Sequence, residues 1–123
     1  MEIKENYSLK NLNTFGISVY CRYFTEFNTI DSLKETLEHK IAKTYQKLIL
    51  GGGSNILFTK DFNGLVLKNN ISGIEKIKED ENHVYIKAGA GVNWHSFVLY
   101  CIENNLAGVE NLSLIPGNVG ASP

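Results

Sequence analysis

Apolar and polar residues switch between two periods along this chain, and the switches outline its elements. After a polar arm, residues Ile17 to Phe27 read ISVYCRYFTEF, a run of apolar, β-branched and aromatic side chains that predicts a strand. Ser32 with Glu35 three residues later has the form of a capping box, and Asp31 adds negative charge at the positive end of the helix dipole. Leu33, Leu37 and Ile41 then recur every four residues, with Lys34, Glu38 and Lys40 facing water. That narrow stripe predicts a helix lying on a sheet by one face. Lys47 to Leu50 (KLIL) predicts a strand, broken at once by Gly51-Gly52-Gly53. A right-handed crossover would set the two strands parallel. Two more apolar runs follow, Ile56-Leu57-Phe58 and the strand candidate Gly64-Leu65-Val66-Leu67.

Beyond Asn69-Asn70 the pattern changes. Ile71 to Lys78 and His83 to Ala88 predict a hairpin turned by Glu79-Asp80-Glu81-Asn82. Val84, Ile86 and Ala88 point to one face, Tyr85 and Lys87 to the other. A second helix is predicted from about Asn93 to Asn104, where Trp94, Phe97, Val98, Cys101 and Ile102 build a broad buried face. Asn93 is its expected N-cap, and Asn105 is suited to the left-handed conformation at its end. A boundary near residues 67–70 separates a βαβ lobe from a mainly antiparallel one.

Composition narrows the function classes. The chain has 123 residues, 43% hydrophobic and 20% charged, the balance of a soluble globular domain. Twelve Lys+Arg against thirteen Asp+Glu leave a net charge of -1, without the basic excess of a nucleic-acid binder. No apolar run approaches the roughly 20 residues that span a bilayer, and the first residues, MEIKENYSLK, lack the apolar core of a secretory signal. A cytoplasmic protein is the expectation, with no nucleic-acid and no membrane partner. Cys21 and Cys101 lie far apart without CxxC spacing, so neither a disulfide framework nor a metal site is expected. The chain stops on Gly120-Ala121-Ser122-Pro123, which is turn chemistry, so a fragment is expected.

Glycine carries the candidate chemistry. Gly51-Gly52-Gly53-Ser54-Asn55 directly follows a buried strand, so its backbone can turn sharply and approach a ligand. Successive unhindered N–H groups form an anion nest, to which Ser54 and Asn55 add side-chain donors. The loop lacks the Gly-Lys pair of a P-loop, and Ile56 occupies the third glycine position of the dinucleotide fingerprint. Gly89-Ala90-Gly91-Val92-Asn93-Trp94 imitates that fingerprint, with Glu110 placed as a ribose ligand would be. Trp94 fills the position that must be small, so a tight strand-to-helix turn is the preferred reading. Small residues from Ile115 to Pro123 again allow close backbone approach, and with the first loop they suggest a long ligand held at two places, as a dinucleotide such as FAD would be. His39 is expected on the exposed side of the first helix, His83 at a strand start and His95 at a helix start. None has companions at metal-ligand spacing, no GxSxG elbow occurs, and neither cysteine has a nearby His, so no nucleophile is nominated.

Four motifs in register resemble the N-terminal part of the UDP-N-acetylenolpyruvoylglucosamine reductase (MurB) family. They are Asn13-Thr14-Phe15-Gly16, the segment from Ile49 to Leu57, Gly89-Ala90-Gly91, and the stretch from Gly108 to Pro123. The Trp94-His95 pair and Glu110-Asn111-Leu112 match the longer of that family's two subtypes. The resemblance implies an α+β fold of the FAD-binding kind shared with the vanillyl-alcohol-oxidase/PCMH flavoenzymes. Residues 1–67 would be the first FAD-binding lobe (βαβ) and residues 68–123 the truncated beginning of the second. It also implies FAD as cofactor, NADPH as hydride donor and a UDP-sugar substrate, UDP-N-acetylglucosamine enolpyruvate, reduced to UDP-N-acetylmuramate for peptidoglycan. Carried over position by position, Gly51, Gly52, Gly53, Ser54 and Asn55 would bind the pyrophosphate. Ile115, Gly117, Gly120, Ala121 and Ser122 would lie along the flavin side. The family's catalytic residues have no counterpart in residues 1–123, so no catalytic residue is nominated and the piece alone is expected to be inactive. Unpaired sheet edges would favour self-association. Another PCMH-type FAD-linked oxidase and a non-catalytic binding module are the alternative readings.

Overall fold

A computed structural model describes residues 1–122. Two sheets and three helices make an α+β architecture. Strands β1 (Lys4–Ser8), β2 (Tyr20–Phe27), β3 (Lys47–Leu50) and β4 (Phe62–Asn69) form one sheet in the order β1-β2-β4-β3. β4 runs parallel to both β2 and β3, while β1 is antiparallel to β2. The two strands expected to be parallel are so, but they do not touch. β4 lies between them because Leu65, Val66 and Leu67 are fully buried and need cover on both faces. β1 falls in the segment expected to be a polar arm; pairing with β2, including Tyr7 opposite Cys21, makes it a strand. Ile56-Leu57-Phe58 is loop, with Phe58 turned into the core.

Side chains of β4 alternate between two cores. Val66 packs with Leu9, Val19, Cys21, Phe24, Leu50 and Phe58 on one face. Leu65 and Leu67 pack with Phe27 and Ala42 on the other, beneath the helices of the β2–β3 connection. Tyr7 stacks on Phe24 at 4.1 Å between ring centres, sealing the first core at its β1 edge.

Those helices depart from the expected continuous one. Helix α1 (Ile30–Glu38) starts at Thr29, not Ser32. The Thr29 hydroxyl accepts from the Ser32 N–H at 3.0 Å and the Thr29 N–H donates to the Ser32 hydroxyl at 3.2 Å, a reciprocal Thr/Ser box. Helix α2 (Lys40–Thr44) begins after a break at His39, whose backbone is extended (φ −66°, ψ 144°) and whose Nδ1 accepts from the Ile41 N–H at 3.2 Å. His39 is thus a half-buried cap and not a solvated helix residue. Thr36 in α1 and Ala42 in α2 are the buried positions, and Leu37 of the expected stripe is left 39% exposed.

The hairpin forms as β5 (Ile74–Glu79) and β6 (Val84–Ala88), a separate two-stranded antiparallel sheet. Asp80 closes its turn by accepting from the Asn82 and His83 N–H groups at 2.9 and 2.7 Å. Helix α3 (Trp94–Glu103) is capped by Asn93, which accepts from the Ser96 N–H, and Asn105 is left-handed (φ 57°) as expected. Its buried face is narrower than its pattern suggests: Val98 and Cys101 are buried, but Ile102 is 46% exposed. Among the described residues no helix is long and apolar enough to cross a membrane.

Candidate functional site: a cleft between two glycine-rich walls

The parallel strands end where an α/β sheet places its ligands, and the glycine loop leaves β3 there. A cleft of about 680 Å³ opens between residues 49–56 and a second wall made of residues 115–117 and Ala121. The segments are far apart in sequence, yet a Cβ on Gly52 would lie only 3.2 Å from Asn118 Oδ1 and 3.3 Å from Gly117 Cα. A Cβ on Gly117 would come within 3.1 Å of the Ser54 hydroxyl.

The three glycines of the loop do different work. Gly53 is buried and left-handed (φ 69°), and a Cβ there would overlap the carbonyl oxygen of Leu12. Its own carbonyl accepts from the Thr14 N–H at 2.9 Å. The Asn13-Thr14-Phe15-Gly16 motif therefore braces the loop. Within it the buried Asn13 side chain donates to Leu9 O at 2.8 Å and Ile17 O at 3.2 Å, and accepts from the Ile17 N–H at 3.0 Å. Gly52 is favoured by the opposite wall, which would have to give by a few tenths of an ångström to admit a Cβ there. Gly51 is required by neither, since a Cβ there would meet nothing within 4 Å. That open space is room for a ligand.

Charge and hydrogen bonding suit an anion. Among the described residues, no protein group accepts from the N–H of Gly51, Gly52 or Gly53. No Asp or Glu lines the cleft, while Ile49, Leu50, Ile56, Ile115 and Pro116 supply apolar surface. Free amides flanked by apolar wall match a dinucleotide, which is charged at its centre and flat at its ends, so the residues present fit FAD.

The second wall is held from behind by the start of α3. The Trp94 N–H donates to Gly117 O at 3.0 Å, and its indole Nε1 donates to Leu112 O at 2.8 Å. His95 Nδ1 lies 2.8 Å from the Ser113 hydroxyl and accepts from the Leu114 N–H at 3.3 Å. The Val119 and Gly120 N–H groups donate to Val92 O and Ala90 O. Gly89-Ala90-Gly91 is thus a tight turn that buttresses this wall. A Cβ on Gly91 would lie 2.8 Å from Asn69 O, which gives its glycine a packing reason.

Of the ten residues expected at the site, Gly51, Gly52, Gly53, Ser54, Asn55, Ile115, Gly117 and Ala121 line the cleft. Gly120 and Ser122 do not. Gly120 packs on Ala90, and the Ser122 hydroxyl donates to Val119 O at 2.7 Å, closing a turn. The sequence reading missed Lys68, whose Nζ donates to Gly51 O at 2.6 Å. Only the β3–β4 register, which sets Lys68 against Leu50, brings it there. Burial pulls the Lys68 ammonium pKa down, and the Glu26 carboxylate opposes that shift. Cys21 and Cys101 are buried and unpaired. Burial pushes the Cys21 thiol up to about 11, with hydrogen bonds to backbone groups opposing it. No group of three or more His, Cys, Asp or Glu among the described residues is arranged to hold a metal.

The family model described as "FAD binding domain" matches residues 22–123. The UDP-N-acetylenolpyruvoylglucosamine reductase of Amoebophilus asiaticus is 54% identical over 123 residues, covering 100% of this chain and 36% of that protein. The protein of the same name from Flavobacterium johnsoniae is 50% identical, with the same coverage. The chain therefore spans about a third of the length of the curated relatives it matches. Among solved structures, the UDP-N-acetylenolpyruvylglucosamine reductase (MurB) of Thermus caldophilus superposes with a TM-score of 0.67. It covers 97% of this chain and 39% of that one at 23% identity, which shows a shared fold.

Proposed function

Because the chain belongs to the FAD binding domain family, we propose that it is the cofactor-holding part of a UDP-N-acetylenolpyruvoylglucosamine reductase acting in the cytoplasm. Residues 1–67 form the first FAD-binding lobe and residues 68–123 begin the second. The flavin supplies hydride transfer from NADPH to the enolpyruvyl double bond of the UDP-sugar. This chain supplies binding and orientation. The free amides of Gly51, Gly52 and Gly53, with Ser54 and Asn55, hold the pyrophosphate. Ile115, Gly117 and Ala121 line the flavin side, while Gly120 anchors that wall to Ala90 behind it and Ser122 closes a turn onto Val119.

The observation that carries this reading is the cleft itself, with unpartnered amides on one wall and open space at Gly51, in a chain matched end to end by relatives of that name. A chimera tests it: residues 1–123 replace the matched third of the Amoebophilus asiaticus protein. The expected result is a yellow protein that oxidises NADPH only when UDP-N-acetylglucosamine enolpyruvate is present. A folded chimera that binds FAD but ignores that substrate overturns the reductase reading, and a folded colourless one overturns the flavin reading too.

A further inference from the structure

Lys68 lies on the Val66 face of β4, opposite Leu50 and just short of the glycine loop. Its half-buried ammonium donates to the carbonyl oxygen of Gly51 at 2.6 Å. The lysine does not itself line the cleft. In a trans peptide the C=O and N–H point in opposite directions, and no peptide among the described residues is cis. With the Gly51 carbonyl turned onto the lysine, the Gly52 N–H must point away from it. The Gly51–Gly52 unit is flanked by glycine on both sides and has no Cβ to resist rotation. Rotated by half a turn, it would carry a carbonyl oxygen where an anion would need a donor.

We propose that Lys68 is a positioning residue that locks the Gly51–Gly52 peptide with its N–H turned to the cleft, so that the loop accepts an anion and not a cation. The identity of that anion as a pyrophosphate rests on the function proposed above; the lock itself does not. Lys68 was invisible as a site residue because it lies on a different strand from the loop it serves.

The test uses the ¹⁵N-labelled chain as wild type, Lys68→Met and Lys68→Arg. In Lys68→Met the Gly52 amide resonance is expected to shift and broaden from exchange between two peptide orientations, and Lys68→Arg restores a single sharp signal. FAD and ADP affinity is expected to fall at least about tenfold in Lys68→Met, as for a lost charge-assisted hydrogen bond, while riboflavin, which has no phosphate, is unaffected. A Gly52 signal unchanged in Lys68→Met overturns the proposal. Loosening of Gly52 in a chain whose wild type binds neither FAD nor ADP leaves the lock standing and overturns the pyrophosphate reading. Should Lys68→Met fail to fold, the wild-type Lys68 side-chain ¹⁵N signal decides. A persistent ammonium resonance protected from exchange supports the lock, and one that exchanges as freely as a surface lysine overturns it.

Discussion

Replacing Gly53 by alanine isolates what holds the glycine loop in place. At φ 69° an alanine sits in the left-handed region, a strain of about 1–2 kcal/mol. Its Cβ would also lie 2.9 Å from Leu12 C and 3.1 Å from Asn13 Cα, which are backbone atoms that a rotamer change cannot move. Relief requires the 12–14 turn to withdraw, and the Thr14 N–H to Gly53 O bond goes with it. A typical net value for such a bond is about 1 kcal/mol. Gly53→Ala is therefore expected to destabilise the chain by about 2–3 kcal/mol. Gly51→Ala, two residues away, meets nothing within 4 Å and is not left-handed, so it should be neutral or stabilising by less than about 1 kcal/mol. Urea unfolding followed by far-UV circular dichroism reads both as midpoint shifts at constant slope. If Gly53→Ala costs less than about 0.5 kcal/mol, the range of an ordinary surface change, the brace between loop and motif is not as described. Equal damage from Gly51→Ala would refute the distinction between a packed glycine and an open one.

Other consequences are independent of the loop. Asp80 is held below the usual carboxylate range by the Asn82 and His83 N–H groups. Its contribution is present above the unfolded-state pKa and is lost as pH falls through the lower folded value. Asp80→Ala should thus lower the urea midpoint at pH 7, and its difference from wild type should shrink as pH falls through the folded value. Cys21, pushed up to about 11 by burial, and Cys101, also raised by burial, should both resist Ellman's reagent in the native chain at pH 8 and react in urea. Fast native labelling of either would contradict the packing of its core. Trp94→Phe removes the donor to Leu112 O and should cost about 0.5–1.5 kcal/mol, with amide exchange rising in residues 112–117 ahead of global unfolding. Unchanged exchange there would show that the second wall is held by other contacts.

What the sequence made legible was local. The run KLIL became β3 to the residue because an apolar tetrapeptide stopped by three glycines leaves no other boundary. The Asn93 cap was readable and so was the hairpin, although its first strand starts at Ile74 rather than Ile71 and takes in Glu79 of the expected turn, since turn and cap chemistry act over three or four residues. What escaped depended on partners distant in the chain. β1 exposes Lys4, Glu5, Asn6 and Ser8 at the sheet edge, and only pairing with β2 reveals it. The break at His39 was hidden because Leu33, Leu37 and Ile41 keep helical spacing across it. In the site, glycine and small-residue composition marked both the Gly51–Asn55 loop and the 115–123 stretch as ligand-facing, while the choice of single residues within the second depended on the family resemblance. Gly120 and Ser122 share that composition but spend their contacts on Ala90 and Val119, and no spacing rule separates them from their neighbours.

The central claim, that the Gly51–Asn55 loop is the pyrophosphate site of an FAD-binding domain, is tested most directly by titrating FAD into the purified chain and into Gly51→Asp while following flavin fluorescence. Gly51 is the position for the charge because its Cβ direction is open, so the fold and the urea midpoint should survive. The account predicts saturable quenching by wild type and a loss of more than about a hundredfold in affinity for the aspartate variant, since like charges set side by side cost several kcal/mol. A wild-type chain that never saturates, or a Gly51→Asp chain that binds FAD as tightly as wild type, would contradict it.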